Sequence, residues 1–332
     1  MPPFRAVAAA PPGPPWRRSL RTLSPALLLA LTACVTLRPF AEVRREQPAA
    51  RYVEVDGHQI YVEQEGSESG DAVVLLHGFG TSSYSWRRVA PEMARSFRVV
   101  APDLFGFGWT ERPHDAASYT REGQVRMVLG VLRALGIRRA QFVGHSYGGA
   151  LTLYLAARHP EIVSSIVLVD SAAPSYPEDR RTRLANLRLL DRLLLPMALR
   201  PHRVRAGLLD SIHDRSLVTP ELVQAYLDRL RVEGEDDAYY GLTARLPPGL
   251  RGDRAAGPAT WDVDLRTIAM PALVVWGSDD RVIPVRDGSK AARLLPRGEF
   301  AAIPKSGHML MEDRPEELLR LVMPFLSAHR GG

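Results

Sequence analysis

From residue 51 onward, short apolar runs recur along the chain, and their spacing alternates between two periods. Arg51 to Val55 and Gln59 to Glu63 alternate apolar and polar positions around Asp56-Gly57, which predicts a β-hairpin closed by a type I′ turn. Short β-branched or leucine-rich runs follow at Ala72 to Leu76, Phe97 to Ala101, Gln141 to Val143, Ser165 to Val169, Ala272 to Trp276 and Glu299 to Ile303. Between them, apolar positions three to four apart predict helices over Trp86–Ala94, Thr120–Leu135, Ala150–Arg158, Arg286–Leu295 and Pro315–Ser327, the last opened by a proline. Strands that alternate with helices predict an α/β architecture, a mostly parallel central sheet flanked by helices.

The alternation stops between Pro174 and Thr267. There leucine, arginine and proline take over, with helical spacing at Arg183–Leu195, Arg203–Ile212 and Pro220–Val232. The pattern predicts a helical cap inserted at 174–267 into a core made of 51–173 and 268–332. Phe40 to Ala50 is polar with a proline at 48, so 34–50 reads as a tether.

The first residues change how the charge is read. The formal net charge is +6, but Arg5, Arg17, Arg18 and Arg21 supply four positives before residue 34 with no acid among them. The balance of the chain carries no basic stripe interleaved with aromatics, so a nucleic-acid partner is not expected. Trp16 to Arg21 is basic, Leu23 to Leu31 is apolar but too short to span a bilayer, and Leu31-Thr32-Ala33-Cys34 ends the segment with the chain's single cysteine. This stretch resembles the lipobox of bacterial lipoproteins. The resemblance implies a signal peptide over 1–33, lipidation of Cys34 and export to the cell envelope as a membrane-anchored protein. Val35 is not the aspartate associated with inner-membrane retention, which in a Gram-negative cell implies the outer membrane.

The chemistry concentrates at Gly144-His145-Ser146-Tyr147-Gly148-Gly149, between a predicted strand and a predicted helix. Glycines two positions either side of Ser146 let the backbone turn sharply and lift the hydroxyl clear, the arrangement of an activated nucleophile. A serine hydroxyl needs an imidazole to take its proton and a carboxylate to orient that imidazole. His308, in Lys305-Ser306-Gly307-His308 between the last predicted strand and the last helix, is the best-placed histidine. Asp280, just after the strand ending at Trp276, is the preferred acid; Asp279 and Asp170 remain alternatives. A tetrahedral oxyanion needs preorganised donors, for which the Phe79 and Tyr147 backbone amides are the candidates. His77 and His145 read as structural hydrogen-bonders, and Asp103 as a turn residue. No metal-ligand spacing, phosphate loop or dinucleotide fingerprint occurs, and the reaction needs no cofactor.

His77-Gly78-Phe79-Gly80, Pro102 to Gly108, Gly144 to Gly149, Trp276 to Pro284 and Ser306-Gly307-His308, in that order, resemble the α/β-hydrolase fold superfamily, in its capped serine-hydrolase branch, over residues 51 to 328. Similar sequences include carboxylesterases, lipases, hydrolases of carbon-carbon bonds in ring-fission products, and cofactor-free haloperoxidase-like enzymes. Epoxide hydrolases and haloalkane dehalogenases carry an aspartate at the position of Ser146, so serine here implies acyl transfer. The expectation is a serine hydrolase acting on a carboxylic ester of a small or lipid-like substrate. The alternatives are hydrolysis of a ring-fission diketone and a non-catalytic binding protein. Leu184, Leu187, Leu194, Met197 and Tyr226 are candidate pocket liners in the cap, and the arginines between 180 and 205 suggest a solvated or lipid-facing basic face.

Overall fold

The computed structural model describes residues 37–47, 51–172, 199–234 and 263–330. The signal segment, Cys34, the helix expected at Arg183–Leu195, and Leu184, Leu187, Leu194 and Met197 lie outside the described residues. Eight strands form one sheet: β1 (Arg51–Val55), β2 (His58–Glu65), β3 (Ala72–Leu76), β4 (Arg98–Pro102), β5 (Ala140–His145), β6 (Val163–Val169), β7 (Ala272–Gly277) and β8 (Gly298–Ile303). Their spatial order is β1-β2-β4-β3-β5-β6-β7-β8. Strand β2 is antiparallel to both its neighbours, and every other pairing is parallel. Asp56 and Gly57 both have positive φ, 51° and 82°, as a type I′ turn requires.

The helices are α1 (Phe40–Glu46), α2 (Ala90–Ala94), α3 (Arg121–Ala134), α4 (Tyr147–Arg158), α5 (Pro201–Ser211), α6 (Pro220–Leu230), α7 (Val285–Leu294), α8 (Leu310–Asp313) and α9 (Pro315–Ala328). Helices α3 and α6 begin where Thr120 and Thr219 accept hydrogen bonds from the amides of Gly123 and Leu222, each threonine satisfying one orphan donor of the first turn. Strand side chains alternate between two apolar cores. On β3, Val74 and Leu76 join the face covered by α3, α4 and α7, while Val73 and Leu75 join the face that also holds Met93, Leu318 and the cap residues Leu222 and Tyr226. Because both faces are covered, β3, β4, β5 and β7 are buried at every position.

Three expectations change. The helix predicted over Trp86–Ala94 is a 3-10 turn at Ser83–Trp86 followed by the short α2, because Pro91 has no amide hydrogen with which to continue a helix across the junction. Residues 263–267, assigned to the cap by pattern, already pack on the core through Val263 and Leu265. The tether reading fails at 38–46. That stretch is docked: Val43 on α1 is 1% exposed, the Arg38 amide donates to the Arg231 carbonyl at 2.8 Å, and the Glu233 amide donates to the Arg38 carbonyl at 2.9 Å. One buried valine among polar residues is too sparse a pattern for periodicity to register.

Candidate active site

Ser146 stands between β5 and α4 with φ 49° and ψ −113°, in the left-handed region that side-chain-bearing residues avoid. Such a conformation costs on the order of 1–3 kcal/mol and persists only where its surroundings enforce it. Here the enforcement is backbone contact. The Ser146 amide donates to the Val169 carbonyl at 3.0 Å, and the Ser146 carbonyl accepts from Ala150 and Ala172. A Cβ at Gly148 would strike the Leu76 carbonyl, and one at Gly144 would meet the Gly148 carbonyl at 2.5 Å, so only glycine fits on either side. A serine at a helix N-cap ordinarily bonds its own helix. Ser146 does not, and its Oγ is left for another partner.

That partner is His308. Its Nε2 lies 3.0 Å from Ser146 Oγ, and its Nδ1 lies 2.8 Å from Asp280 Oδ2. Both side chains are shielded, that of Asp280 fully, and Asp280 Oδ1 accepts from the amides of Val282 and Ile283 at 2.8 Å each. With the carboxylate held by backbone donors and by Nδ1–H, Nε2 is the free acceptor facing the hydroxyl. The other two aspartates are placed elsewhere. Asp279 is partly exposed and its Oδ2 is 3.2 Å from Nδ1 of His213, at the end of the cap helix α5. Asp170 is wholly buried with φ 44°; its Oδ1 accepts from Gly277 at 2.8 Å, and burial, reinforced by the nearby charge of Asp280, pushes its carboxyl well above the usual range.

The loop after β3 also comes close to Ser146. A Cβ on Gly78 would lie 2.6 Å from His145 Nδ1 and 3.3 Å from the Ser146 Cβ, so this loop passes within van der Waals reach of Ser146. Phe79 comes next, its ring 37% exposed and edge-on to Phe107 and Tyr147. Tyr147 is the first residue of α4, where helical amides have no partner within the helix. His77 holds the loop from below. Its Nε2 accepts from the Leu104 amide at 2.9 Å, so Nδ1 carries the hydrogen and donates to the Gly78 carbonyl, also at 2.9 Å. Burial lowers its pKa to about 4, keeping the ring neutral. His145 is also buried, and desolvation, with the charge of His308, lowers its pKa well below the ordinary value; its Nε2–H donates to the His308 carbonyl at 2.7 Å. Asp103 accepts from Ser83 at 2.6 Å and from Trp109 at 2.8 Å, organising the Pro102–Gly108 turn.

Tyr226, one of the candidate pocket liners, is buried in the apolar cluster on the α6 side of the sheet. Its hydroxyl donates to Glu312 Oε1 at 2.8 Å, where Arg87 also binds the carboxylate through both terminal nitrogens at 2.5 and 2.8 Å. One helical turn away, the Arg229 guanidinium lies 4.1 Å from both the Tyr84 and the Trp109 ring centroids. These are cap-to-core fastenings. Sequence patterning overlooked Glu312 and Asp313, whose only signal was the presence of adjacent acids inside an otherwise apolar stretch. Among the described residues no cluster of histidine, cysteine or acidic side chains is arranged to hold a metal ion, and no helix is long and apolar enough to cross a membrane.

A family model described as the alpha/beta hydrolase fold matches residues 71–315. Over 265 residues, 78% of this chain and 90% of the relative, the sequence is 33% identical to a protein of Pseudomonas putida named 2-hydroxy-6-oxo-2,4-heptadienoate hydrolase. Among solved structures, a membrane phospholipase A superposes with a TM-score of 0.68 at 27% identity, covering 88% of this chain and 92% of that one. A meta-cleavage product hydrolase from Pseudomonas fluorescens superposes with a TM-score of 0.69 at 24% identity, covering 84% and 97%, a likeness of fold.

Proposed function

The chain belongs to the alpha/beta hydrolase fold family and is a hydrolase; from this and the relay Asp280–His308–Ser146 we propose that it cleaves carboxylic esters through an acyl-enzyme. The observation that carries the reading is the pair of contacts at 2.8 and 3.0 Å that joins a shielded carboxylate to the hydroxyl through one imidazole. In the proposed cycle Ser146 Oγ attacks the ester carbonyl as its proton passes to His308 Nε2. Asp280 orients the ring and stabilises the imidazolium, and the Phe79 and Tyr147 amides receive the oxyanion. The imidazolium proton then leaves with the alcohol. Water, deprotonated by the same nitrogen, attacks the acyl-enzyme and releases the acid.

A fluorophosphonate probe tests the nucleophile: the parent labels and Ser146→Ala does not, and a mutant that still labels overturns the assignment. A second reading has support from the relatives. The compound in the name of the Pseudomonas putida relative is a 6-oxo dienoate with no ester, so its hydrolysis cuts a carbon-carbon bond. The leaving group is then a delocalised carbanion in place of an alkoxide. Turnover of a yellow ring-fission diketone without turnover of short p-nitrophenyl esters decides for that reading; the reverse decides for esters.

Export and lipid anchoring at Cys34 belong to the same proposal and rest on the lipobox resemblance alone. Fatty-acid label incorporated by the parent and lost in Cys34→Ala supports the anchor. An unlabelled parent removes it.

A further inference from the structure

Five residues beyond His308, at the end of α8, the Asp313 side chain is 96% buried by its 4% residual exposure and receives hydrogen bonds from two separate parts of the chain. Its Oδ2 accepts from the Gly307 amide at 2.7 Å, immediately before His308. The same carboxylate accepts from the His213 amide at 3.0 and 2.9 Å and from the Asp214 amide at 3.0 Å, in the segment that leaves cap helix α5. The two parts also touch directly. The Met309 amide donates to the Ser211 carbonyl at 3.1 Å, and a Cβ at Gly307 would run into that same carbonyl. Across the loop after β7, His213 meets Asp279, the residue next to Asp280.

We propose that Asp313 is a positioning residue for His308, and that through it the docking of cap segment 211–214 and the alignment of the proton relay are a single event. The inference rests on the reading of His308 as general base. Its physical basis is the acceptor capacity of a carboxylate: two oxygens with about four lone-pair sites serve three backbone amides at once. An asparagine of the same shape keeps one acceptor and turns an NH2 group toward an N–H. With its oxygen at the Oδ1 position the Gly307 amide is left facing an NH2 group, and with its oxygen at the Oδ2 position the Asp214 amide is, so one of the three amides loses its partner whichever way the side chain faces. A displacement of His308 of the order of an ångström suffices to slow the chemistry on the order of 100-fold.

The test compares parent, Asp313→Asn, Gly307→Ala and Ser146→Ala in the full-length protein. Asp313→Asn is expected to lower kcat on the order of 100-fold with KM for a short p-nitrophenyl ester nearly unchanged, and to slow fluorophosphonate labelling in proportion. Amide exchange at 211–214 and at 307–309 is expected to rise together. Gly307→Ala, which pushes the cap segment away without touching the carboxylate, is expected to reproduce both effects and serves if Asp313→Asn does not fold. A parental kcat and labelling rate in the folded variants, or faster exchange in one segment alone, overturns the proposal. Persistent labelling in Ser146→Ala sinks the underlying serine-hydrolase reading instead, so the two failures are distinguishable.

Discussion

Burial and hydrogen bonding give Asp170, Asp279 and Asp280 different properties although all three lie within three residues of a strand end in the same sheet. Asp280 meets two backbone amides and His308 Nδ1. Replacing it with asparagine presents the wrong group to the imidazole, and kcat is expected to fall about 10⁴-fold with folding retained. Asp170 is buried against Gly277, and desolvation raises its carboxyl above the ordinary range. The stability tied to that retained proton is fully present below the unfolded value of about 3.9 and is lost as pH climbs through the raised folded value. Asp170→Asn, neutral at every pH, is therefore expected to gain on the parent as pH rises, read from urea midpoints at pH 5 and pH 9. A constant difference between the two proteins would show that Asp170 is charged in the fold. The order Ser146, Asp280, His308 was legible from strand ends and glycines alone; the contacts that separate Asp280 from Asp170 were not, because the first joins Asp280 to His308 across an intervening helix and strand and the second joins Asp170 to Gly277 on a neighbouring strand.

At the scale of elements, long segments follow their periodicity closely and short ones do not. Helix α4 starts at Tyr147, three residues before its expected start, because the turn at Ser146 leads directly into the helix. Helix α8, four residues long, is too short to show a period. Helix α1 is the instructive failure. Its polar surface reads as a tether, yet Val43 is buried and Arg38 is hydrogen-bonded through its backbone to the end of α6. Burying a valine is worth about 2 kcal/mol. A chain trimmed to begin at Arg51 is accordingly expected to unfold at lower urea than one beginning at Val35, whereas a true tether would leave the midpoint unchanged.

Across the whole molecule, chain order alone specified the alternating strands and helices, the sharp turn at Ser146 and the loop location of His308, because each depends on local sterics or on a period within one element. Only the tertiary structure decided which carboxylate faces His308 and that Tyr226 and Arg229 fasten cap to core. The same is true of Asp313, whose bond to Gly307 and bonds to the cap segment meet on one side chain. The physical reason is range. Periodicity and turn chemistry act over a few residues, whereas a buried carboxylate takes its role from whichever backbone amides the packed sheet and cap bring to it.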